Sequence, residues 1–401
     1  MSMSVLDLVN ILQGTDSCEA FSNGNTLPLH ARPHGLAHWT VNTSTNTTWL
    51  FSPHVNKLHS MRLTHQPSPW MNDYAPLCVM PVTSNPMVKK DKVEKESVSL
   101  DDLPIPVTPE KRVSTFPPHL TKFAPHCFET FLMRWRIQMQ FTPTERCGVF
   151  KFKFPANKNC WVVIDSIKSL SSVSFQSDSN IVSGYTTMNH GGVPENFKGY
   201  FAIMTNSKIV NFGAFSDSEG FPSVLEKTGD HIGCYIGFGA EDKERVIEIK
   251  VGTSFISVDQ AIRNINYEVG DLSFEQVVDE GRKTWETLLN RIEIEGGTEK
   301  QQKTFYTSLY RSLLFPRKFY EYNESKTPIH YSPYTGNIHS GFLYADNGFW
   351  DTYRTVYPFL SLVYPEICEE IIQGLDFILF NFTSTSTCFL FSFSFINDNQ
   401  K

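Results

Sequence analysis

Near residue 255 the hydrophobic pattern of this chain changes its period, so one kind of regular element cannot serve both halves. Upstream, "VFKFKF" sets Phe150, Phe152 and Phe154 against Lys151 and Lys153, and Ile247, Ile249 and Val251 alternate with Glu248 and Lys250. A period of two places all the apolar side chains on one face of a strand. "MRWRIQMQF" alternates in the same way, with Met133, Trp135, Ile137, Met139 and Phe141 against Arg134, Arg136, Gln138 and Gln140, and reads as one strand. Such strands, separated by Gly, Ser, Asn and Pro turns, predict an antiparallel β-sandwich over residues 1–255.

Downstream the spacing is helical. Ser273 with Gln276 forms a capping-box signature ahead of Phe274, Val277, Val278, Trp285, Leu288 and Leu289, and Thr298 with Gln301 forms another ahead of Phe305, Leu309 and Leu313. Pro365 fits the first turn of a helix carrying Ile367, Ile371, Ile372 and Leu375. The expected order is a sandwich (1–255), a helical connector (256–297) closed by Gly296 and Gly297, and the start of a helical domain (298–376). This is a β + α multidomain chain, and 401 residues suffice for two substantial cores.

A net charge of −7 leaves no basic excess to hold nucleic acid or anionic lipid, so neither is an expected partner. The 32 Phe suit a large β core and, alternatively, a sugar cleft lined with ring faces. Eight cysteines without paired spacing read as ordinary buried thiols rather than zinc ligands or a disulfide framework. "MSMSVLDLVN" lacks a basic stretch followed by a long apolar run, which predicts a cytoplasmic chain, with secretion as the alternative. Sequons at Asn42, Asn46, Asn323 and Asn381 matter only in the second case. Lys89 to Arg112 is charged and proline-bearing and is expected to be an exposed insertion loop.

Five stretches, in order, carry a resemblance: "QGTDSCEAFSNGNTLPLHARPHGLAHW" (13–39), "RLTHQPSPWMNDYAPLCVMPV" (62–82), "FTPTERCGVFKFKFP" (141–155), "GGTEKQQKTFYTSLYRSLLFPR" (296–317) and "GFWDTYRTVYPFLSLVYPE" (348–366). Together they resemble glycoside hydrolase family 92. That resemblance implies an N-terminal β-sandwich packed on an (α/α)6 toroid, working as a calcium-dependent exo-α-mannosidase that inverts the anomeric centre and acts on mannose-containing glycans and glycoproteins. An inverting glycosidase needs one carboxylic acid for the leaving oxygen and one carboxylate to activate water on the opposite face. Calcium, a hard ion with oxygen ligands, suits vicinal hydroxyls.

The resemblance also marks candidate sugar contacts. Asp351 is expected to accept sugar hydroxyls, with Trp350 either a ring contact or a core residue, and Arg354 either a substrate contact or the partner of an acid. On the Pro-rich loop "HQPSPWMNDY", His65, Trp70 and Asp73 are candidates to close over the sugar, although His65 also reads as a turn-stabilising residue. Gly24 in "FSNGN" offers a close backbone approach, or simply a turn. Asp346, Glu366, Glu369 and Glu370 read as loop and helix-surface acids.

Past Asp376 the resemblance ends, and "FILFNFTSTSTCFLFSFSFINDNQK" (377–401) follows as a tail foreign to the family. It reads as translated non-coding sequence or as a membrane anchor, with Asn381 and "TSTST" opposing the anchor. The family's general acid, its base and most calcium ligands are expected in the segment the tail replaces. No catalytic residue and no metal ligand is therefore assigned, and the chain is expected to be inactive. The alternative is a non-catalytic, mannoside-binding sandwich module.

Overall fold

The computed structural model describes residues 4–17, 24–45, 49–69, 71, 73–85, 96–189, 196–348 and 352–381. Its first part is two antiparallel sheets of nine strands each. One runs, edge to edge, Leu29–His30, His38–Asn42, Ser60–Thr64, Leu77–Ser84, Asn159–Asp165, Gly233–Gly239, Asn211–Phe215, Glu219–Pro222 and Val98–Ser99. The other runs Glu226–Asp230, Leu170–Gln176, Ile181–Thr186, Gly199–Thr205, Arg245–Ser254, Cys147–Phe154, Ile137–Pro143, Cys127–Leu132 and Lys122–Ala124. Phe150 lies opposite Ile249 and Phe152 opposite Ile247, all of them buried in the shared core. Each such side chain contributes roughly 1.5–3 kcal/mol on leaving water.

Two sequence expectations change here. The alternation from Met133 to Phe141 is not one strand: residues 133–136 form the turn of a hairpin, Arg136 has φ +55, and the strand begins at Ile137. Met133 is accordingly exposed, while Trp135 is buried through the turn rather than through a pleat. Nor is the described part of Lys89–Arg112 a solvated loop. Val98–Ser99 pairs with Glu219–Gly220, and Leu103, Ile105 and Val107 are buried. The single turn α1 (Pro109–Arg112) then buries Arg112, whose guanidinium donates 2.8 Å to Asp165. Interspersed prolines and charges hid the apolar period of this strap; residues 89–95 lie outside the described residues.

The helices begin after the last strand of the second sheet. Helix α2 (Val258–Glu268) lies on the outer face of that sheet, with Ala261 and Ile265 against Cys147, Val149 and Ala202. Gly252 permits this, since a Cβ there would meet the Ala261 carbonyl oxygen at 2.3 Å. Helix α3 (Phe274–Leu289) starts at a Ser273–Gln276 capping box and α4 (Glu299–Ser312) at a Thr298–Gln301 one, each cap contributing about 1 kcal/mol. Both helices dock on the sandwich edge, where Trp285 Nε1 donates to the Ala31 carbonyl (2.9 Å) and the Tyr310 hydroxyl to that of Leu29 (2.6 Å).

Between residues 313 and 355 the chain returns to β structure, which the helical reading of 298–376 did not foresee. Glu321–Tyr322, Pro328–Ser332 and Asn337–Ser340 form a small antiparallel sheet, and Arg317–Lys318 pairs with Tyr344–Ala345. Helices α5 (Val356–Val363) and α6 (Pro365–Asn381) follow, the second continuing past Asp376. Cys78, Cys127, Cys147, Cys160, Cys234 and Cys368 are buried free thiols, as expected. Among the described residues no helix is long and apolar enough to cross a membrane.

Candidate functional site at the domain boundary

Two candidate sugar-contact segments, the loop after Ser60–Thr64 and the stretch around residues 346–352, are joined by one buried cation. Arg317 follows α4 and is 2% exposed. Its guanidinium donates to the carbonyls of Thr64 (3.2 Å) and His65 (2.8 Å), to the Tyr74 hydroxyl (3.0 Å) and to the Asp346 carboxylate. The Tyr74 hydroxyl in turn donates a hydrogen bond to Asp346 Oδ2 at 2.8 Å, so donors and acceptors alternate through the network. Burial pushes the Tyr74 phenol up to about 12, which keeps it a donor at any physiological pH.

Asp346 is thus a buried ion-pair partner, not the bland loop acid of the sequence reading; its side chain is 2% exposed. It sits at φ +57, a left-handed conformation that Asp tolerates better than most residues. Beyond it, Asn347 Nδ2 donates to the Tyr357 hydroxyl (2.6 Å), and the Thr352 hydroxyl donates to Asn347 Oδ1 (2.9 Å) and the Gly348 carbonyl (3.1 Å). Trp350 and Asp351, between these anchors, lie outside the described residues, as does Trp70.

His65 is buried, its ring stacked on Tyr74 at 4.5 Å between centroids. Nδ1 lies 2.6 Å from the Tyr74 carbonyl, which can only accept, so Nδ1 carries the proton and Nε2 is an acceptor with no partner among the described residues. Burial, then repulsion from Arg317, hold its pKa well below 6.5, so the ring is neutral. A cavity of about 10 Å³ beside His65, Tyr200 and Phe255 has room for about one water and none for a sugar ring.

Asp73 is 1% exposed and turned inward. It pairs with Arg62 (2.7 Å) and accepts from the Thr64 hydroxyl (3.1 Å) and the backbone amides of His65 (2.7 Å) and Tyr74 (3.0 Å). Its charge closes the loop on itself. Gly24, at φ +101, makes its close approach to Gly14, whose Cα would lie 2.7 Å from an added Cβ. Arg354 is on the exposed turn before α5, its guanidinium 4.7 Å over the Tyr353 ring.

A second cluster on the same boundary was not foreseen. Buried Arg146 donates to Glu268 (2.8 Å), to Glu145 (3.0 Å) and twice to the Tyr320 carbonyl (3.0 and 2.8 Å), while Lys318 also bonds Glu145. Burial opposes charge at Glu145, but Lys318 and Arg146 outweigh it and pull the carboxyl down to about 2. Glu321, buried with no ion pair among the described residues, accepts from Ser254, the Phe255 amide and Asn264, and burial raises its pKa. On α6, Glu370 takes the hydroxyls of Tyr344 (2.8 Å) and Tyr320 (3.1 Å). The sequence signal for them was partial: Glu145 and Arg146 stand in "FTPTERCGVFKFKFP" and Lys318, Tyr320 and Glu321 directly follow "RSLLFPR", but nothing local marked Glu268.

Among the described residues no three or more His, Cys, Asp or Glu side chains converge to hold a metal ion. Asp73, Asp346, Glu145 and Glu268 are already paired with Arg62, Arg317, Arg146 and Lys318, and Glu321 and Glu370 are turned to neutral donors on separate elements. This donor set does not fit calcium, which takes six to eight oxygens.

The model of the glycosyl hydrolase family 92 N-terminal domain matches residues 8–254, and that of the family's catalytic domain matches 260–378, so the seam between them falls where the strands give way to α2. The chain belongs to glycosyl hydrolase family 92. A solved family 92 inverting mannosidase of Bacteroides thetaiotaomicron is 34% identical, with a TM-score of 0.85 over 94% of this chain and 49% of that one. A second family 92 α-mannosidase of that species, 23% identical, superposes with a TM-score of 0.76 over 93% of this chain and 49% of that one and bears on the fold alone. An uncharacterized secreted glycosidase of Arthroderma benhamiae is 31% identical over 123 residues, 29% of this chain and 16% of that protein. The chain thus spans about half the length of the family 92 structures it matches.

Proposed function

We propose that this chain carries the sugar-recognition side of an exo-α-mannosidase that releases terminal mannose from glycans and glycoproteins with inversion. The observation that supports it is the Arg317–Tyr74–Asp346 network, which ties the loop of His65 to the segment flanking Asp351 across the domain boundary. The resemblance of 94% of the chain to an inverting mannosidase at 34% identity points the same way. In this reading Asp351 accepts mannose hydroxyls, Trp350 and Trp70 offer ring faces, and Arg354 stands at the rim. Asp73 and His65 act indirectly, shaping the loop from within.

Inversion needs a proton donor and a water-activating carboxylate on opposite faces of the sugar. Of the described carboxylates at the boundary, Asp73, Asp346, Glu145 and Glu268 are held in ion pairs, Glu370 by tyrosine hydroxyls and Glu321 by Ser254, the Phe255 amide and Asn264, which supports residues 1–401 binding mannosides without cleaving them. Calcium remains an expectation from the family, and the described residues carry no step that depends on it. The relative described as a secreted glycosidase supports export of the protein.

The test is release of mannose from α-1,2-, α-1,3- and α-1,6-linked dimannosides by purified chain, with and without a chelator, beside calorimetric titration of the same sugars. Binding without release is expected. Chelator-sensitive release would overturn the inactivity, and absence of any mannoside binding would overturn the recognition role.

A further inference from the structure

At the end of the sandwich away from the domain boundary, the turns at 84–85, 133–136 and 155–158 enclose a cleft of about 630 Å³. The strand Ile137–Pro143 leads from this cleft toward Glu145 at the boundary, and its 7 residues span about 23 Å. The cleft is therefore separate from the candidate sugar site.

Its lining is positive on a chain of net charge −7. Arg134, Arg136 and Lys158 face it with one acid, Glu244, whose carboxylate is already 2.7 Å from Lys153 Nζ. Arg134 and Lys158 are held by neutral groups that leave their charge intact. Arg134 donates to the carbonyls of Lys111 (2.8 Å) and Val113 (3.2 Å) and stacks 4.3 Å over Trp135. Lys158 donates to the Asn85 side-chain oxygen. Arg136 is exposed and holds a backbone φ of +55, which glycine adopts at less cost, and it has no ion pair among the described residues.

We propose that this cleft binds an anionic saccharide, with a phosphate or sulfate group between Arg134, Arg136 and Lys158. Guanidinium and ammonium groups on separate turns can engage several oxygens of one tetrahedral anion, and such charged hydrogen bonds are the strong kind. The volume exceeds what a bare anion fills and falls in the range of small-molecule sites, which leaves room for a sugar ring beside Trp135. The hydroxyl of Thr83 and the amide of Asn85 also line it.

The test is calorimetric titration of the 401-residue chain with mannose 6-phosphate, mannose and inorganic phosphate at low and near-physiological salt. Arg136→Gly and Lys158→Gln serve as variants. The first relieves the backbone at φ +55, and neither residue is part of the domain boundary, so thermal melting should be unchanged in both. Mannose 6-phosphate is expected to bind in a salt-sensitive manner, more tightly than inorganic phosphate and without competition from excess mannose. Each variant should weaken it by about tenfold or more, the loss of one charged hydrogen bond. Wild-type affinity in both variants, displacement by mannose, or no anion binding at all would overturn the proposal. Equal affinity for inorganic phosphate would overturn its saccharide part.

Discussion

The Tyr74 hydroxyl donates a 2.8 Å hydrogen bond to the carboxylate of Asp346, 272 positions along the chain. Because Arg317 donates to the same hydroxyl at 3.0 Å and to the same carboxylate, the contact is one side of a closed triangle buried between the sandwich and the helical side. A buried pair is costly to break from one side, since the remaining charge loses both its partner and its water.

Asp346→Asn should therefore destabilise the chain by about 3 kcal/mol, leaving Arg317 charged and uncompensated. Asn also tolerates φ +57, so the loss reports charge rather than backbone strain. Tyr74→Phe removes one donor and one acceptor and should cost about 1–3 kcal/mol. Urea denaturation of both variants checks this, and unchanged midpoints would mean that the network does not hold the boundary.

Gly252→Ala tests the seat of α2. The added methyl would meet the Ala261 carbonyl oxygen at 2.3 Å, a backbone atom with no rotamer to move, and the Ile265 Cγ1 at 2.6 Å. The helix must shift off the sheet, for a loss of about 1–3 kcal/mol. A stability equal to wild type in chemical denaturation would show that α2 rides loosely on the strands.

His231 should make stability fall at alkaline pH. Its Nε2 lies 2.9 Å from Asp165, its Nδ1 bonds Asp217, Arg112 pairs with Asp165, and Lys168 stands 3.8 Å from Asp217. Burial alone would lower its pKa, but the two carboxylates outweigh it and raise the imidazole from 6.5 to about 9. A raised folded pKa means that the contribution is complete below about 6.5 and is lost as pH climbs through about 9, up to roughly 3 kcal/mol. His231→Asn, compatible with φ +51, should flatten that decline in denaturation curves taken across this range. A parallel decline in the variant would place the titration elsewhere.

Leu362 on α5 is 82% exposed, and Ile372 on α6 is 49% exposed. Exposed apolar side chains of this size on neighbouring helices favour self-association. Leu362→Glu should reduce it, measured by light scattering against concentration, with a stability change within about 0.5 kcal/mol. Persistent aggregation would trace the association to another surface.

What the amino-acid order determined by itself is what depends on near neighbours. The alternation of Phe150, Phe152 and Phe154, the two capping boxes, and the change to helical spacing from Ser273 were all legible, because side-chain direction and capping act over two to four residues. Local reading also erred locally: the alternation from Met133 ran through a turn, since a hairpin turn of suitable length can imitate a pleat. Tertiary structure alone decided the fate of the charges. Asp73, Asp346, Arg112, Arg146 and Arg317 look like surface residues in the sequence, and all are buried or nearly so because their partners arrive from strands and loops far along the chain. Whether a charge is solvated or paired is a property of what surrounds it in three dimensions, and no pattern in its own segment records it.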